Sequence, residues 1–150
     1  MPTPLPISVC MISGADSARI GRALRSVEGW VAETIVVVND DVTDGTDKIA
    51  IEHGAKVFRE SWKEHIAQKN SAADKATQPW ILGLDSDEEI SDKLKDSIHR
   101  FFSDGERWGS CRLADGALLS FLGALGAAWR LVSRLADAPV AYREGQVGRH

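Results

Sequence analysis

Apolar runs and amphipathic stretches alternate from residue 7 to about residue 102. ISVCMIS (7–13) is short, continuous and rich in Ile and Val, which predicts a buried strand. In DSARIGRALRSVEGW (16–30), Ala18, Ile20, Ala23, Leu24 and Val27 fall near helical spacing with Arg19, Arg22 and Arg25 between them. Asp16 or Ser17 is the expected cap. ETIVVVND (33–40) predicts a second strand, and TDGTDKIAIEHGA (43–55) a helix stopped at Gly54. KVFRE (56–60) is a third strand, HIAQKNSAADKATQ (65–78) a helix ended by Pro79, and WILGLD (80–85) a fourth strand. SDKLKDSIHRFF (91–102) is an amphipathic helix with a Ser-Asp start.

Four strand–helix pairs with continuously apolar strands predict an α/β fold, a mostly parallel sheet covered by helices on both faces. Such sheets bind ligands beyond the carboxyl ends of their strands. Three strands deliver polar residues to that edge: Ser13, then Asn39, Asp40 and Asp41, then Asp85, Ser86, Asp87 and Glu88.

Composition narrows the class. With 150 residues, 43% hydrophobic and 27% charged, the chain reads as one domain able to bury a core. A net charge of −4 argues against a nucleic-acid partner. Cys10 and Cys111 have no metal-ligand spacing and read as reduced thiols. The start, MPTPLP, has no leader pattern, and 116–132 is interrupted by Arg130. A cytoplasmic location is expected, with any membrane contact peripheral.

The acids after the fourth strand carry the candidate chemistry. Asp85 and Asp87 are one residue apart, and in extended chain such side chains point the same way. Two hard oxygen donors facing one point suit Mg or Mn, which take one or two carboxylates plus substrate phosphates. The plainer alternative is a solvated turn whose acids cap the next helix.

The stretch 65–89 resembles the family 2 glycosyltransferases: a helix with A-x-[RK]-N, then A-x-x-x-A, then an apolar strand ending in D-x-D. The matching residues are Ala67, Lys69, Asn70, Ala72, Ala76, Asp85 and Asp87. The likeness covers about 7–102 and is nearest to the branch that builds lipopolysaccharide or lipooligosaccharide cores. It implies a GT-A-like nucleotide-binding domain and a nucleotide-sugar donor. Asp87 and Asp85 would hold the cation on the donor diphosphate. Ser13, Asn39, Asp40, Asp41, Lys69 and Asp85 are the implied donor contacts. Asn39 stands where the family has a base-reading Asp, for which Asp40 is a substitute. Lys69 stands at a base- or phosphate-contacting position, and reads equally as a solvated helix charge. Gly14-Ala15-Asp16 departs from the family's Asn-Glu-rich turn. The implied acceptor is a hydroxyl of a glycolipid or saccharide of the cell envelope. His65 is expected at the surface or in packing. Trp62 and Trp80 are expected in the core or at its rim rather than as stacking platforms.

The donor-binding domain is accordingly placed at 1–103, with a divergent tail at 104–150. FLG (121–123) matches the start of the family run F-L-G-R-W-x-R-H-G-x-W-[FY]-P-D, and the following residues do not. Codons for Ala124 to Arg134, with third bases chosen freely and the first base of the Leu135 codon set to C, spell R-W-V-R-H-G-A-W-F-P-D when read one base later. The expectation is a one-base insertion near codon 123 and an out-of-frame tail from about 124. The competing reading is an amphipathic helix over 116–136. No motif supports Asp104, Glu106 or Asp115 as the general base that transfer requires. Two other functions compete with a transferase: a nucleotide-sugar-binding domain without activity, and an Asp-x-Asp phosphatase. The phosphatase motif follows a first strand, whereas this pair follows the fourth.

Overall fold

A computed structural model describes residues 2–103 and, as backbone, 130–133. The order is β1 (Leu5–Ser13), α1 (Ile20–Val27), β2 (Val31–Asn39), α2 (Thr46–Glu52), β3 (Lys56–Glu60), α3 (His65–Asp74), β4 (Trp80–Gly83), α4 (Asp92–Ser103) and β5 (Arg130–Ser133). The sheet order is β3-β2-β1-β4-β5. β1 pairs parallel with β2 and β4, and β2 parallel with β3, while β5 is antiparallel to β4. The predicted α/β architecture is therefore the observed one.

Continuous apolar strands form here because both sheet faces are covered. Ile35, Val36, Val37 and Val38 are all fully buried, although successive residues face opposite sides. Val36 and Val38 join Ile7, Val9 and Met11 in a core with Ile20, Leu24 and Val27 of α1, Ala50 of α2, and Leu94 and Ile98 of α4. Ile35 and Val37 pack with Cys10, Ile81, Ala72 and Ala76 on the α3 face. Each buried Ile, Val or Leu contributes roughly 1.5–3 kcal/mol, so the β1–β2 pair anchors the fold.

Most boundaries moved by a few residues. Gly54 stops α2 as expected, with φ +76°, and the Ser91 hydroxyl accepts the Leu94 N–H at 3.2 Å as an N-cap. Two expectations fail. Neither Asp16 nor Ser17 caps α1, which begins at Ile20 without a side-chain cap. Residues 130–133 are strand, against a helix over 116–136. The rest of the tail, with Cys111 and all of the frameshift segment but 130–133, lies outside the described residues. Among the described residues no helix is long and apolar enough to cross a membrane.

Candidate active site

β1 and β4 are adjacent and parallel, so their carboxyl ends open side by side. A cleft of about 220 Å³ lies there, lined among others by Ser13, Asp16, Arg19, Lys69, Asp85 and Asp87. α1 and α3 flank it from opposite faces of the sheet. β4 ends at Gly83, and 85–88 form a turn in which the Glu88 N–H donates to the Asp85 carbonyl at 3.1 Å. The acids therefore leave the sheet in a turn, not in the extended chain assumed from their spacing.

In that turn each carboxylate meets a different cation. Lys69 Nζ lies 3.0 Å from Asp85, and Arg19 Nη1 lies 3.5 Å from Asp87. Lys69 comes from α3, whereas Arg19 immediately precedes α1. The middle residue of the turn is tied down separately. The Ser86 hydroxyl, in a buried residue, donates to Asp16 Oδ2 at 2.6 Å. Ser13 donates to the same oxygen at 3.3 Å, and Arg19 bonds the other oxygen. Burial works against the Asp16 anion, but the Ser86 and Arg19 hydrogen bonds and the Arg19 charge outweigh it and hold the carboxyl below its ordinary value. Glu88 shifts the other way, raised by burial and then by the charges of Asp85 and Asp87.

The sequence candidates divide. Ser13, Lys69, Asp85 and Asp87 come together in the cleft. Asn39 sits at the end of β2 beside Gly14, its Oδ1 buried without a hydrogen-bond partner. Asp40 and Asp41 are exposed and are not among the cleft-lining residues. Asp40 instead accepts the Ser61 hydroxyl at 2.6 Å, and its carbonyl accepts Arg59 at 2.9 Å.

The Glycosyl transferase family 2 model matches residues 8–116. The chain belongs to that family. Family 2 membership agrees with its relatives. An uncharacterized glycosyltransferase of Rickettsia felis is 40% identical over 97 residues, 65% of this chain and 34% of that protein. The lipopolysaccharide core biosynthesis glycosyltransferase LpsC of Rhizobium meliloti is 29% identical over 99 residues, 63% of this chain and 36% of that one. This chain spans about a third of the length of the curated relatives it matches. The mannosyltransferase PcManGT of Pyrobaculum calidifontis, solved with GDP-Man and Mn2+, has a TM-score of 0.52 at 18% identity, over 64% of this chain and 33% of that one. S. aureus TarS (1–349) has a TM-score of 0.51 at 21% identity, over 65% and 32%. These likenesses establish the fold.

Sequence reasoning about this family 2 domain missed Asp16, Arg19 and Ser86. Asp16 was read as a helix cap because a short acid before an amphipathic run usually is one. Only the pairing of β1 with β4 brings it to Ser86. Trp62 and His65 also line the cleft, and Trp62 is 45% exposed, so it stands at the rim and not in the core. Trp80 is a packing residue, met edge-on by Phe101 and Phe102 at 5.7 Å each.

Proposed function

We propose that this chain forms the donor-binding part of a glycosyltransferase that passes a sugar from a nucleotide sugar to a hydroxyl of a cell-envelope saccharide or glycolipid. The observation that carries the reading is the convergence of Asp85, Asp87 and Lys69 in one cleft at the carboxyl edge of a parallel sheet. A lipopolysaccharide core acceptor is favoured by the likeness to LpsC. Contact with the cytoplasmic membrane face would be peripheral.

The donor set fits a divalent cation. Asp85 and Asp87 supply two hard oxygens, and each already draws a positive group to itself. Among the described residues no group of three His, Cys, Asp or Glu forms a protein-only cage. Mg and Mn do not need one, because water and substrate phosphates complete their shell. When bound, such a cation neutralises charge on the departing nucleoside diphosphate as a Lewis acid. Asp87 and Asp85 would hold it, and Lys69, released from Asp85, would donate to a phosphate oxygen. Ser86 and Asp16 would keep the turn in place while this exchange occurs. Ser13 and Asn39 would face the nucleoside, and the Asn39 Oδ1, which has no hydrogen-bond partner, would accept from it once uncovered. The general base is assigned to no described residue, and Asp104, Glu106 and Asp115 lie outside them.

A thermal-shift screen of nucleotide sugars with Mn2+ and with EDTA tests the reading, since a ligand that binds only the folded state raises its midpoint. At least one nucleotide sugar should stabilise the protein with Mn2+ and fail to do so with EDTA. No stabilisation by any common nucleotide sugar would sink it.

A further inference from the structure

Trp62 lines the cleft with nearly half of its surface open, which is unusual for so large an apolar side chain. His65 meets it edge to face, with ring centroids 4.8 Å apart and planes at 86°. That contact uses at most one face of the indole. Between the two rings, Glu64 has φ 75° and ψ 151°, a region occupied almost only by glycine. It is the one non-glycine residue with positive φ among those described. Strain of this kind persists where the surroundings enforce it, and it concentrates at ligand sites. Glu64 lies in the short segment between Trp62 and His65, both of which line the cleft.

The position along α3 says what the indole faces. His65 opens the helix, and Lys69 follows one turn later, about 6 Å along the axis. Lys69 reaches the acidic turn. A diphosphate held at Lys69 and Asp85 would therefore carry its nucleoside within reach of the aromatic pair. We propose that Trp62, braced by His65 and the strained turn at Glu64, is a stacking platform for the nucleobase of the donor. This rests on the nucleotide-sugar reading above. Every base has a π face, so the platform supplies affinity without choosing among bases.

Calorimetric titration of the full chain with UDP, GDP, CDP, ADP and inorganic pyrophosphate, each with Mn2+, tests the assignment. Trp62→Leu keeps apolar bulk without an aromatic face, and Trp62→Phe keeps a face. Trp62→Leu should weaken the best-bound nucleotide by about 5- to 100-fold and leave pyrophosphate within about twofold, while Trp62→Phe retains most of the nucleotide affinity. Equal nucleotide affinity in Trp62→Leu and wild type would overturn the platform and leave the donor reading intact. Equal weakening of pyrophosphate would also overturn it, because the change would then act on the phosphate site. A wild-type chain that binds no nucleotide would overturn both.

Discussion

Asp16 and Ser86 stand 70 residues apart in the chain and share a hydrogen bond of 2.6 Å. The bond joins the exit of β1 to the middle of the Asp85–Asp87 turn. Asp16 also takes Ser13 and Arg19, so one carboxylate ties together two strand ends and the approach to α1. Neither metal-candidate acid has to serve as this tie, and both remain free to exchange partners.

Removing the tie should be costly. Asp16→Ala leaves the Ser86 and Ser13 hydroxyls short of a shared acceptor in a largely buried place, an effect of about 1–3 kcal/mol. Asp16→Asn keeps an acceptor oxygen and should lose less. Urea unfolding of the two variants measures this, and a midpoint for Asp16→Ala equal to that of wild type would show that the tie carries no stability.

The two ion pairs at the cleft should behave differently from that tie. Lys69–Asp85 and Arg19–Asp87 are about half exposed, so each is worth at most about 1 kcal/mol to the fold. Arg19→Ala also takes a partner from Asp16 and so should lower the melting midpoint, yet it should raise the affinity of Asp85 and Asp87 for bare Mn2+ severalfold, because a competing cation is gone. Electron paramagnetic resonance of free Mn2+ during titration reads this directly, and equal or weaker Mn2+ binding would remove Arg19 as a competitor. Lys69→Ala should spare stability but weaken nucleotide-sugar binding roughly tenfold or more, the scale of a charge-assisted hydrogen bond. Calorimetry checks it, and unchanged affinity would return Lys69 to a solvated helix charge.

The opposite end of the sheet predicts an acid-sensitive contribution. Glu33 accepts from Lys56 at 2.7 Å, from the Thr77 N–H and hydroxyl at 2.6 and 2.8 Å, and from Ser8 at 2.5 Å. Burial opposes its charge, but the Lys56, Ser8 and Thr77 bonds prevail and bring its pKa down to about 2. A carboxyl with a depressed folded pKa stabilises the fold above its unfolded value of 4.5 and loses that contribution as pH falls toward about 2. The contribution is on the order of 2–3 kcal/mol. Glu33→Gln should therefore be much less stable than wild type at pH 7, with the gap closing between pH 4.5 and 2. A gap constant across that range in urea titrations would contradict the network.

Glu64→Gly should raise the melting midpoint by a few degrees, since glycine occupies that backbone region freely and the strain of an L side chain there is about 1–3 kcal/mol. Differential scanning calorimetry decides it. A lowered midpoint would mean that Glu64 is not strained in the folded protein.

What the sequence disclosed follows from what its patterns encode. The strands were legible because runs such as Ile35–Val38 are apolar at every position, which only a doubly covered sheet explains. The gathering of Ser13, Lys69, Asp85 and Asp87 was legible because parallel strands place their carboxyl ends at one edge. The turn at 85–88 agrees with the plainer alternative and not with the extended pair, because strand alternation does not continue past Gly83, where pairing stops. Asp40 and Asp41 follow β2 at the same edge but do not line the cleft, and the Ser61 hydroxyl bonds Asp40, a contact across β2 and β3 that no local pattern names. The part Asp16 plays was not legible because its partner Ser86 is remote in sequence, whereas Trp62 stands at the rim, one of the two places expected for it.

The measurement that bears most directly on the account is nucleotide-sugar affinity of Asp87→Ala and wild type, titrated calorimetrically with and without Mn2+. Wild type should bind a nucleotide sugar far more tightly with Mn2+. Asp87→Ala should lose that Mn2+-dependent gain while keeping its circular dichroism and melting midpoint close to wild type, because Asp87 is exposed and its ion pair is weak. The same Mn2+-dependent gain in both proteins would contradict the assignment of Asp87 to the cation, and with it the proposed role of the acidic turn.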